Sequence, residues 1–326
     1  MYERLGEVLE MLCREGRKEA VFVAPFIKRA AFGRLLSALP ADVSLLCVTR
    51  WRPEEVAAGV SDPDIWLDMQ QRARASLRLC PSLHAKYYRV DTACLIGSAN
   101  ITGAALSWTT TPNLEILYPF GGSLAEGQAF EGHLLSSSVL CQEVIYQEMK
   151  ATVSLLQAEP RAYMLLRDAA TELPAETATT NDVTADTNNI ILSDPSIWLP
   201  QSRQPSDLFL TYSDQWPQLT SASHTSTQID LAVLQIPREL PQPVFTRYVA
   251  AQLLQFPCIA AVDAFVTQSQ RFGAVTAYLK TLPCSKSTNF DATRAWQTLM
   301  RWLLYFLPER YEHSVPRHSE VFQVRK

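Results

Sequence analysis

Residues 84–100 read HAKYYRVDTACLIGSAN, and this stretch decides how the first half of the chain folds. Residues 84–90 alternate in the manner of a strand, and residues 93–96 form a second short apolar run. Only Asp91 and Thr92 separate the two runs, a length that suits a tight turn between antiparallel strands. We therefore predict a β-hairpin over this stretch.

On both sides of the hairpin, short apolar runs alternate with segments of helical periodicity. Strands are predicted at residues 20–24, 43–48, 77–79 and 114–118, and helices at 2–17, 27–39, 64–75, 101–106 and over most of 124–157. Alternation of this kind is typical of a sheet built partly from parallel crossovers. The predicted fold class is α/β, with a mixed β-sheet flanked by helices.

The composition changes at residues 167–194, which are acidic, rich in threonine and poor in large apolar side chains. Such a segment is either a flexible linker or a solvated surface loop, and both interpretations stay open. The predicted organisation is a first domain at 1–166, this acidic segment, and an accessory module at 195–326 without an assigned role. The module is expected to be mostly helical, with helices at 244–256 and 292–307 and strands at 228–236 and 320–324.

The chain has 326 residues, enough for two ordinary domains, and a formal net charge of -4. This charge argues against capture of nucleic acid by bulk electrostatics, although it allows a local basic cleft. The seven cysteines include no Cys-x-x-Cys pair, which argues against a zinc ribbon and indicates a reducing compartment. The N-terminal residues do not resemble a signal peptide, and no apolar run reaches the roughly 18 residues that span a bilayer. We expect a cytoplasmic protein without a membrane partner.

Imidazole, ammonium, hydroxyl, amide and carboxylate groups gather around the hairpin. His84 and Lys86 are two residues apart, so on a strand they face the same side and can approach one phosphate. Ser98 and Asn100 follow the second strand, where their donors can stabilise negative charge as it shifts in a transition state. A carboxylate near the imidazole, such as Glu115, would fix its tautomer. These residues indicate phosphodiester chemistry with a histidine nucleophile.

The same stretch resembles the HKD motif of the phospholipase D superfamily, through His84, Lys86, Asp91, Gly97, Ser98 and Asn100. Asn113 and Glu115 resemble the acidic segment that often follows this motif in the nuclease-like members of the superfamily. Five residues lie between Asp91 and Gly97, one fewer than is usual in the family. A shortened hairpin would absorb the difference. The alternative is a shift of Ser98 and Asn100 by one position, which would change the face that they occupy.

The resemblance implies a phospholipase D-like sheet and a two-step displacement that uses no metal and no cofactor. One histidine attacks phosphorus to form a phosphohistidine, a second histidine protonates the leaving oxygen, and water then releases the product. Lys86, Ser98 and Asn100 would hold the phosphate in such a site. Asp91 and Glu115 would orient and polarise other groups without reacting themselves.

The family needs two HKD motifs per active site, and this chain carries one. The remaining histidines have no lysine two residues on: His133, His224, His313 and His318. A homodimer that faces two copies of His84 across a two-fold axis is the expected solution. One copy would attack phosphorus while the other acts as the general acid.

The function that the resemblance implies is hydrolysis of nucleic acid by a DNA nuclease subunit, of a bacterial restriction or phage-defence type. A helicase or another defence subunit would then deliver the substrate. Two alternatives stay open. One is a phospholipase or phosphatidyl transferase of the same mechanism, and the other is a non-catalytic nucleic-acid-binding or scaffold subunit with a degenerate site.

Arg50 follows a predicted strand and is a candidate substrate contact. The other arginines of residues 52–89 either line a nucleic-acid groove or belong to a charge-mixed solvated face, and the acids among them favour the second interpretation. Aromatic residues at 296–311 could stack bases, but their helical spacing favours a core or a dimer face.

Overall fold

The computed structural model describes residues 4–122, 124–159, 194–287, 290–315 and 320–325. The chain divides into two compact units, residues 1–154 and 155–326. The first unit is a mixed β-sheet with helices and the second is mostly helical, so the predicted fold class is confirmed. The acidic segment at 167–194 lies outside the described residues except for Asp194, and the domain boundaries at 166 and 194 stay a prediction.

The first unit alternates between helices and strands as the apolar periodicity predicts. Its elements are α1 (Leu5–Arg14), β1 (Glu19–Val23), α2 (Arg29–Ala38), β2 (Ser44–Thr49), α3 (Pro53–Ala57), α4 (Ile65–Gln70), β3 (Ala75–Leu79), β4 (Tyr87–Val90), β5 (Ala93–Gly97), β6 (Leu117–Pro119), α5 (Leu124–Ser136), β7 (Val139–Leu140) and α6 (Glu143–Ala158). Proline marks two of these boundaries, because α2 ends shortly before Pro40 and α3 begins at Pro53.

The seven strands form one sheet in the order β6-β5-β4-β1-β2-β3-β7. The three strands β1, β2 and β3 are parallel, and every other neighbouring pair is antiparallel. The central strand β1 is buried from its second residue onward, as expected for a strand covered on both faces. Because the carboxyl ends of the parallel strands meet at one edge, the loops that follow them gather beside the residues that precede β4.

The predicted hairpin is present as β4 and β5, with Tyr87 opposite Ile96 and Val90 opposite Ala93. The chain reverses at Asp91, whose φ of 52° lies in the left-handed region that aspartate tolerates in turns. The turn is therefore the short one that the sequence predicts.

The hairpin is shorter at its open end than the sequence predicts. β4 begins at Tyr87, so the prediction that His84 and Lys86 lie on this strand is wrong. The neighbouring strand β1 ends at Val23, opposite Tyr87, and the chain then turns at Pro25. Residues before Tyr87 therefore lose their ladder partner on that side.

Two further predictions of secondary structure are wrong. Residues 101–106 form turns instead of a helix, and residues 228–234 belong to a helix instead of a strand. In the second case the side chain of Thr220 accepts a hydrogen bond from the backbone N–H of Ser223 and so caps the helix. Thr227, Asp230 and Leu234 are its buried residues, at the three- and four-residue spacing of a helix.

A buried ion pair fastens β4 to the helix α5. Arg89 is 3% exposed, and its guanidinium donates to both carboxylate oxygens of Glu131. The hydroxyl of Tyr87 also donates to Glu131, over 2.8 Å. A second carboxylate, Glu19, accepts from Arg89 but is half exposed. The pairing explains why Arg89 is buried although arginine usually lies at the surface.

The second unit contains mainly helices around an aromatic core. Its elements are α7 (Asp207–Tyr212), α8 (Ser221–Leu234), α9 (Gln242–Leu253), α10 (Pro257–Phe265), β8 (Gln270–Arg271), α11 (Phe272–Leu279), α12 (Ala292–Phe306), β9 (Tyr311–Ser314) and β10 (Val321–Val324). Helix α12 buries Trp296, Trp302 and Phe306, so the prediction of a core position for these residues is confirmed. The strands form a small antiparallel sheet in the order β8-β10-β9.

Among the described residues, no single helix is both long enough and apolar enough to span a membrane. The consecutive helices α9 and α10 have a sufficiently apolar composition only when taken together, and they are bent by 79° with respect to each other.

We expect replacement of Glu131 by alanine to lower the free energy of unfolding of the first unit by about 3 to 5 kcal/mol, because it leaves the Arg89 charge buried without its main partner. Chemical denaturation followed by circular dichroism measures the change. The matched control is Glu19→Ala, which removes the exposed partner of the same arginine and should cost no more than about 1 kcal/mol. Equal losses in the two variants would contradict the assigned importance of Glu131.

A buried carboxylate makes the second unit sensitive to pH. Asp230 is fully buried and accepts hydrogen bonds from the backbone N–H groups of Gln201 and Ser202. Burial raises its pKa to about 7, against the opposing effect of those two hydrogen bonds. The folded chain therefore binds this proton more tightly than the unfolded chain, in which the carboxyl titrates near its ordinary value.

The contribution of Asp230 to stability is complete below about pH 4 and is lost as the pH rises through about 7, a difference of roughly 4 kcal/mol for three pKa units. We expect Asp230→Asn to remove this dependence, so that the variant gains stability relative to the wild type between pH 5 and pH 8. Urea unfolding followed by tryptophan fluorescence at both pH values measures it. A wild-type-to-variant difference that stays constant with pH would refute the assignment.

Candidate active site

The candidate site lies at the sheet edge where β1, β2 and β3 end. His84 and Lys86 precede β4, and Ser98 and Asn100 follow β5. The backbone N–H of Gly97 donates to the carbonyl of Lys86 over 3.4 Å, which continues the hairpin register by one step. Lys86 and Gly97 therefore stay paired at the open end of the hairpin, and the shorter spacing between Asp91 and Gly97 is accommodated by the tight turn.

Ser98 and Glu115 are in direct contact. The hydroxyl of Ser98 donates to Glu115 and accepts the backbone N–H of Ile116 over 3.1 Å. The backbone N–H of Ser98 donates to the carbonyl of Ile116 over 3.0 Å. Asn113 donates to the other carboxylate oxygen of Glu115 over 3.3 Å. The loop that carries Glu115 is thus fastened to the end of β5, and a tautomer-fixing role toward His84 stays a prediction.

Gly97 is required by the close approach of the neighbouring strand. A Cβ at this position would lie 1.9 Å from the carbonyl oxygen of Ile116, far inside contact distance. The approaching group is the backbone that leads into β6.

Asn100 is held by the loop that follows β1. Its side-chain oxygen accepts the backbone N–H of Phe26 over 3.3 Å, which turns its NH₂ group away from Phe26. The residue before it is anchored as well, because the buried hydroxyl of Tyr88 donates to the carbonyl of Ala99 over 2.6 Å. The side-chain amide is therefore held by the loop after β1, and the backbone before it is held by Tyr88 of β4.

Arg50 contacts the backbone next to the candidate site. It is 9% exposed, pairs with the buried carboxylate of Glu55, and donates to the carbonyl of Leu83 over 3.1 Å. Its guanidinium carbon lies 5.3 Å from the centre of the Phe26 ring. These contacts fix the backbone immediately before His84. The expected contact between Arg50 and a substrate stays a prediction.

Glu55 and Phe26 are supporting residues that the sequence does not single out. Glu55 lies among the acids that favour a solvated face, yet it is 7% exposed. Its position in the first turn of a short helix, five residues after Arg50, is the one sequence signal for this pairing. The solvated-face interpretation is therefore wrong for Glu55 and for Arg89, which are both buried.

Lys86 lies in a mixed electrostatic environment. Its ammonium donates to the carbonyl of His84 over 2.9 Å, which ties the two residues together. Partial burial lowers the pKa of Lys86, the Arg50 charge lowers it further, and Glu115 opposes the shift. The charges of Arg50 and Glu115 therefore both act on Lys86. The neighbouring His84 is exposed.

Asp91 lies apart from these residues. Lys86 and Asp91 are at opposite ends of β4, roughly 16 Å apart at the rise of an extended strand. The carboxylate of Asp91 accepts the backbone N–H groups of Arg17, Lys18 and Glu19 over 2.8, 2.9 and 3.0 Å. It fastens the hairpin turn to the start of β1, so the expectation that Asp91 orients groups at the site is replaced by turn chemistry.

The arrangement offers an exposed imidazole, an ammonium, a hydroxyl held by a carboxylate, and a positioned amide. This set suits an anion with several oxygens, because ammonium and amide donors bind such oxygens directly. Among the described residues, no group of three or more His, Cys, Asp or Glu side chains is placed to hold a metal ion.

Comparisons with known proteins give no family and only faint structural likenesses. No protein-family match and no similar curated protein is found. NucT from Helicobacter pylori is 12% identical with a TM-score of 0.34, covering 41% of this chain and 89% of that chain. Phosphatidylserine synthase from Haemophilus influenzae is 15% identical with a TM-score of 0.34, covering 50% and 44%. The archaeal chromatin protein TrmBL2, whose structure shows a mode of DNA binding, is 13% identical with a TM-score of 0.27, covering 41% and 48%.

We expect Gly97→Ala to destabilise the site, because the added methyl group must displace the Ile116 backbone. The free energy of unfolding should fall by about 2 kcal/mol, as for overpacked positions elsewhere. Amide exchange at Ser98 and at residues 116–118 should become faster. The matched control is Gly33→Ala in α2, where a Cβ meets nothing within 4 Å, and this variant should gain up to about 1 kcal/mol. Unchanged exchange in Gly97→Ala would contradict the close approach.

Proposed function

We propose that this chain is a phosphodiesterase that cleaves nucleic acid, DNA in the first instance, through a phosphohistidine formed on His84. One observation carries the proposal. The hairpin register and the Gly97–Lys86 hydrogen bond bring the end of β5 next to the residue that precedes β4. This supports a site in which the side chains of residues 84–86 and 98–100 act together at one sheet edge. The motif's resemblance to the HKD sequence supplies the reaction class.

The side chains have distinct roles in this proposal. The exposed imidazole of His84 is the nucleophile. Lys86 and Asn100 bind the non-bridging oxygens of the phosphate, where their donors stabilise the charge that develops in the transition state. Ser98 supports one oxygen and is itself oriented by Glu115. Arg50 acts through the backbone before His84, and Asp91 acts through the turn.

A site with two histidines requires a second copy of the chain. In the proposed homodimer, His84 of one protomer attacks phosphorus, and the P–N bond forms as the P–O bond to the leaving oxygen breaks. The second His84 gives that oxygen its proton. Water then attacks the phosphohistidine, the second His84 takes the proton of the water, and the P–N bond breaks. The enzyme returns to its starting state without a metal or cofactor in any step.

The biological setting belongs to the proposal through the resemblance alone. A restriction or phage-defence system would supply a helicase or another subunit that delivers DNA to this chain. The net charge of -4 supports such a partner, because phosphate capture by bulk electrostatics is weak for an acidic protein.

The decisive experiment traps the covalent intermediate. We expect wild-type protein, incubated with labelled DNA in EDTA and quenched rapidly, to carry label in an acid-labile linkage. His84→Ala should carry none and should lose at least about 1,000-fold in cleavage rate, as is usual for a removed nucleophile. The matched control is His133→Ala, an exposed histidine of α5 outside the motif, which should behave as the wild type.

Different results would favour other functions. Label transferred from phosphatidylcholine but not from DNA would replace the nuclease with a phosphatidyl transferase. DNA binding without any covalent label would leave a binding or scaffold subunit. An active species that sediments as a monomer would refute the shared site.

A further inference from the structure

A cavity of about 550 Å³ lies in the first unit, against the strands that carry the candidate site. Its size falls within the range of pockets that bind small organic molecules. Four aromatic residues line it: Tyr87, Tyr118, Phe120 and Phe130. The proposed mechanism uses none of them, so the cavity calls for an occupant of its own.

The strand register builds one wall of the cavity. Tyr87 lies opposite Ile96 on β5, and Ile96 lies opposite Tyr118 on β6, so these three residues form a row across three strands. Phe130 of α5 packs on Tyr87, with ring centres 5.3 Å apart. Tyr118 is 69% exposed, which places an unburied aromatic ring at the rim.

The cavity and the candidate site share residues. Lys86 and Gly97, which are hydrogen-bonded to each other through their backbones, both belong to the cavity lining. Lys86 is also the proposed phosphate ligand. A ligand that places a phosphate on Lys86 can therefore place the group next to that phosphate in the cavity.

The lining favours a nucleobase over an acyl chain. Aromatic rings stack on the face of any base, and such stacking is the usual source of affinity for single strands. The lining also contains Glu126, whose carboxylate oxygens can accept hydrogen bonds from the amino groups of a base. An acidic chain also needs affinity that does not come from bulk charge.

We infer that this cavity receives one base of the substrate, next to the phosphate held at Lys86, and that the substrate is therefore single-stranded nucleic acid. In a duplex the same base would first have to leave its stack, at a cost in binding energy. The inference rests on the proposed function, because it uses the same phosphate position.

Binding measurements separate the base from the phosphate. The full-length His84→Ala chain is titrated into a fluorescent single-stranded oligonucleotide and into the same oligonucleotide with abasic nucleotides throughout, which keeps every phosphate. We expect the abasic strand to bind at least about tenfold more weakly, the loss of one stacked base. Tyr118→Ala, added to the same chain, should weaken binding of the intact strand by a similar factor and leave binding of the abasic strand unchanged.

The matched control is Leu114→Ala, which removes a 94% exposed apolar side chain from the same segment but outside the cavity lining. It should bind both strands as the parent does. Duplex DNA should bind more weakly than the intact single strand. Equal affinity for intact and abasic strands would overturn the base pocket while leaving the cleavage proposal in place. A base-dependent affinity in a protein that forms no phosphohistidine would support the pocket and refute the mechanism.

Two other occupants would also overturn the inference. Saturable sedimentation with phosphatidylglycerol vesicles that is lost in Tyr118→Ala would assign the cavity to an acyl chain. A change of sedimentation coefficient in both Tyr118→Ala and Leu114→Ala would assign this surface to contact between copies of the chain.

Discussion

The register between β4 and β5 is the constraint on which the candidate site depends. A slip by one residue would move every side chain of β5 to the other face, because side chains alternate along a strand. Asp91 prevents this by holding three backbone N–H groups of residues 17–19, which ties the turn to the central strand. At the other end, Gly97 lets the chain before β6 approach closely enough to bind Ser98. Asp91, at the turn, thus helps to align the candidate site residues at the opposite end of the hairpin.

Two buried ion pairs hold the elements on either side of this hairpin. Arg89 and Glu131 join β4 to α5, while Arg50 and Glu55 support the backbone before His84. Buried pairs contribute little net stability, since desolvation of both charges offsets their attraction, but removal of one partner is costly. The two ion pairs therefore determine how these elements are arranged more than they increase the stability of the fold. Each pair also anchors a neighbouring backbone or hydroxyl group, which transmits that specificity to the site.

Local pattern predicted the elements of the first unit well, because apolar periodicity and turn length act within a few residues. The same reasoning selects His84, Lys86, Ser98, Asn100 and Glu115 by type and spacing, and their roles stay a prediction. Local sequence pattern does not predict features that depend on distant contacts. One is the start of β4 at Tyr87, which is set by the end of β1 before Pro25, and another is the burial of Arg50 against Glu55. The apolar run before residue 236 predicts a strand, because the spacing of its apolar residues fits a strand as well as a helix. The Thr220 cap and the three- and four-residue spacing of the buried residues favour the helix.

In the proposed enzyme, the polar groups at the sheet edge and the aromatic residues of the cavity supply two different kinds of binding energy. Lys86 and Asn100 act on oxygens whose charge changes during the displacement, so their interactions strengthen in the transition state and lower the barrier. A base stacked among Tyr87, Tyr118 and Phe130 is the same in the ground state and the transition state, so it contributes to capture alone. An acidic chain with a half-site gains most from such uniform binding, because its weakest step is the retention of a strand that bulk charge does not attract. In the proposed enzyme, base stacking in the cavity would thus supply affinity that a net charge of -4 does not provide.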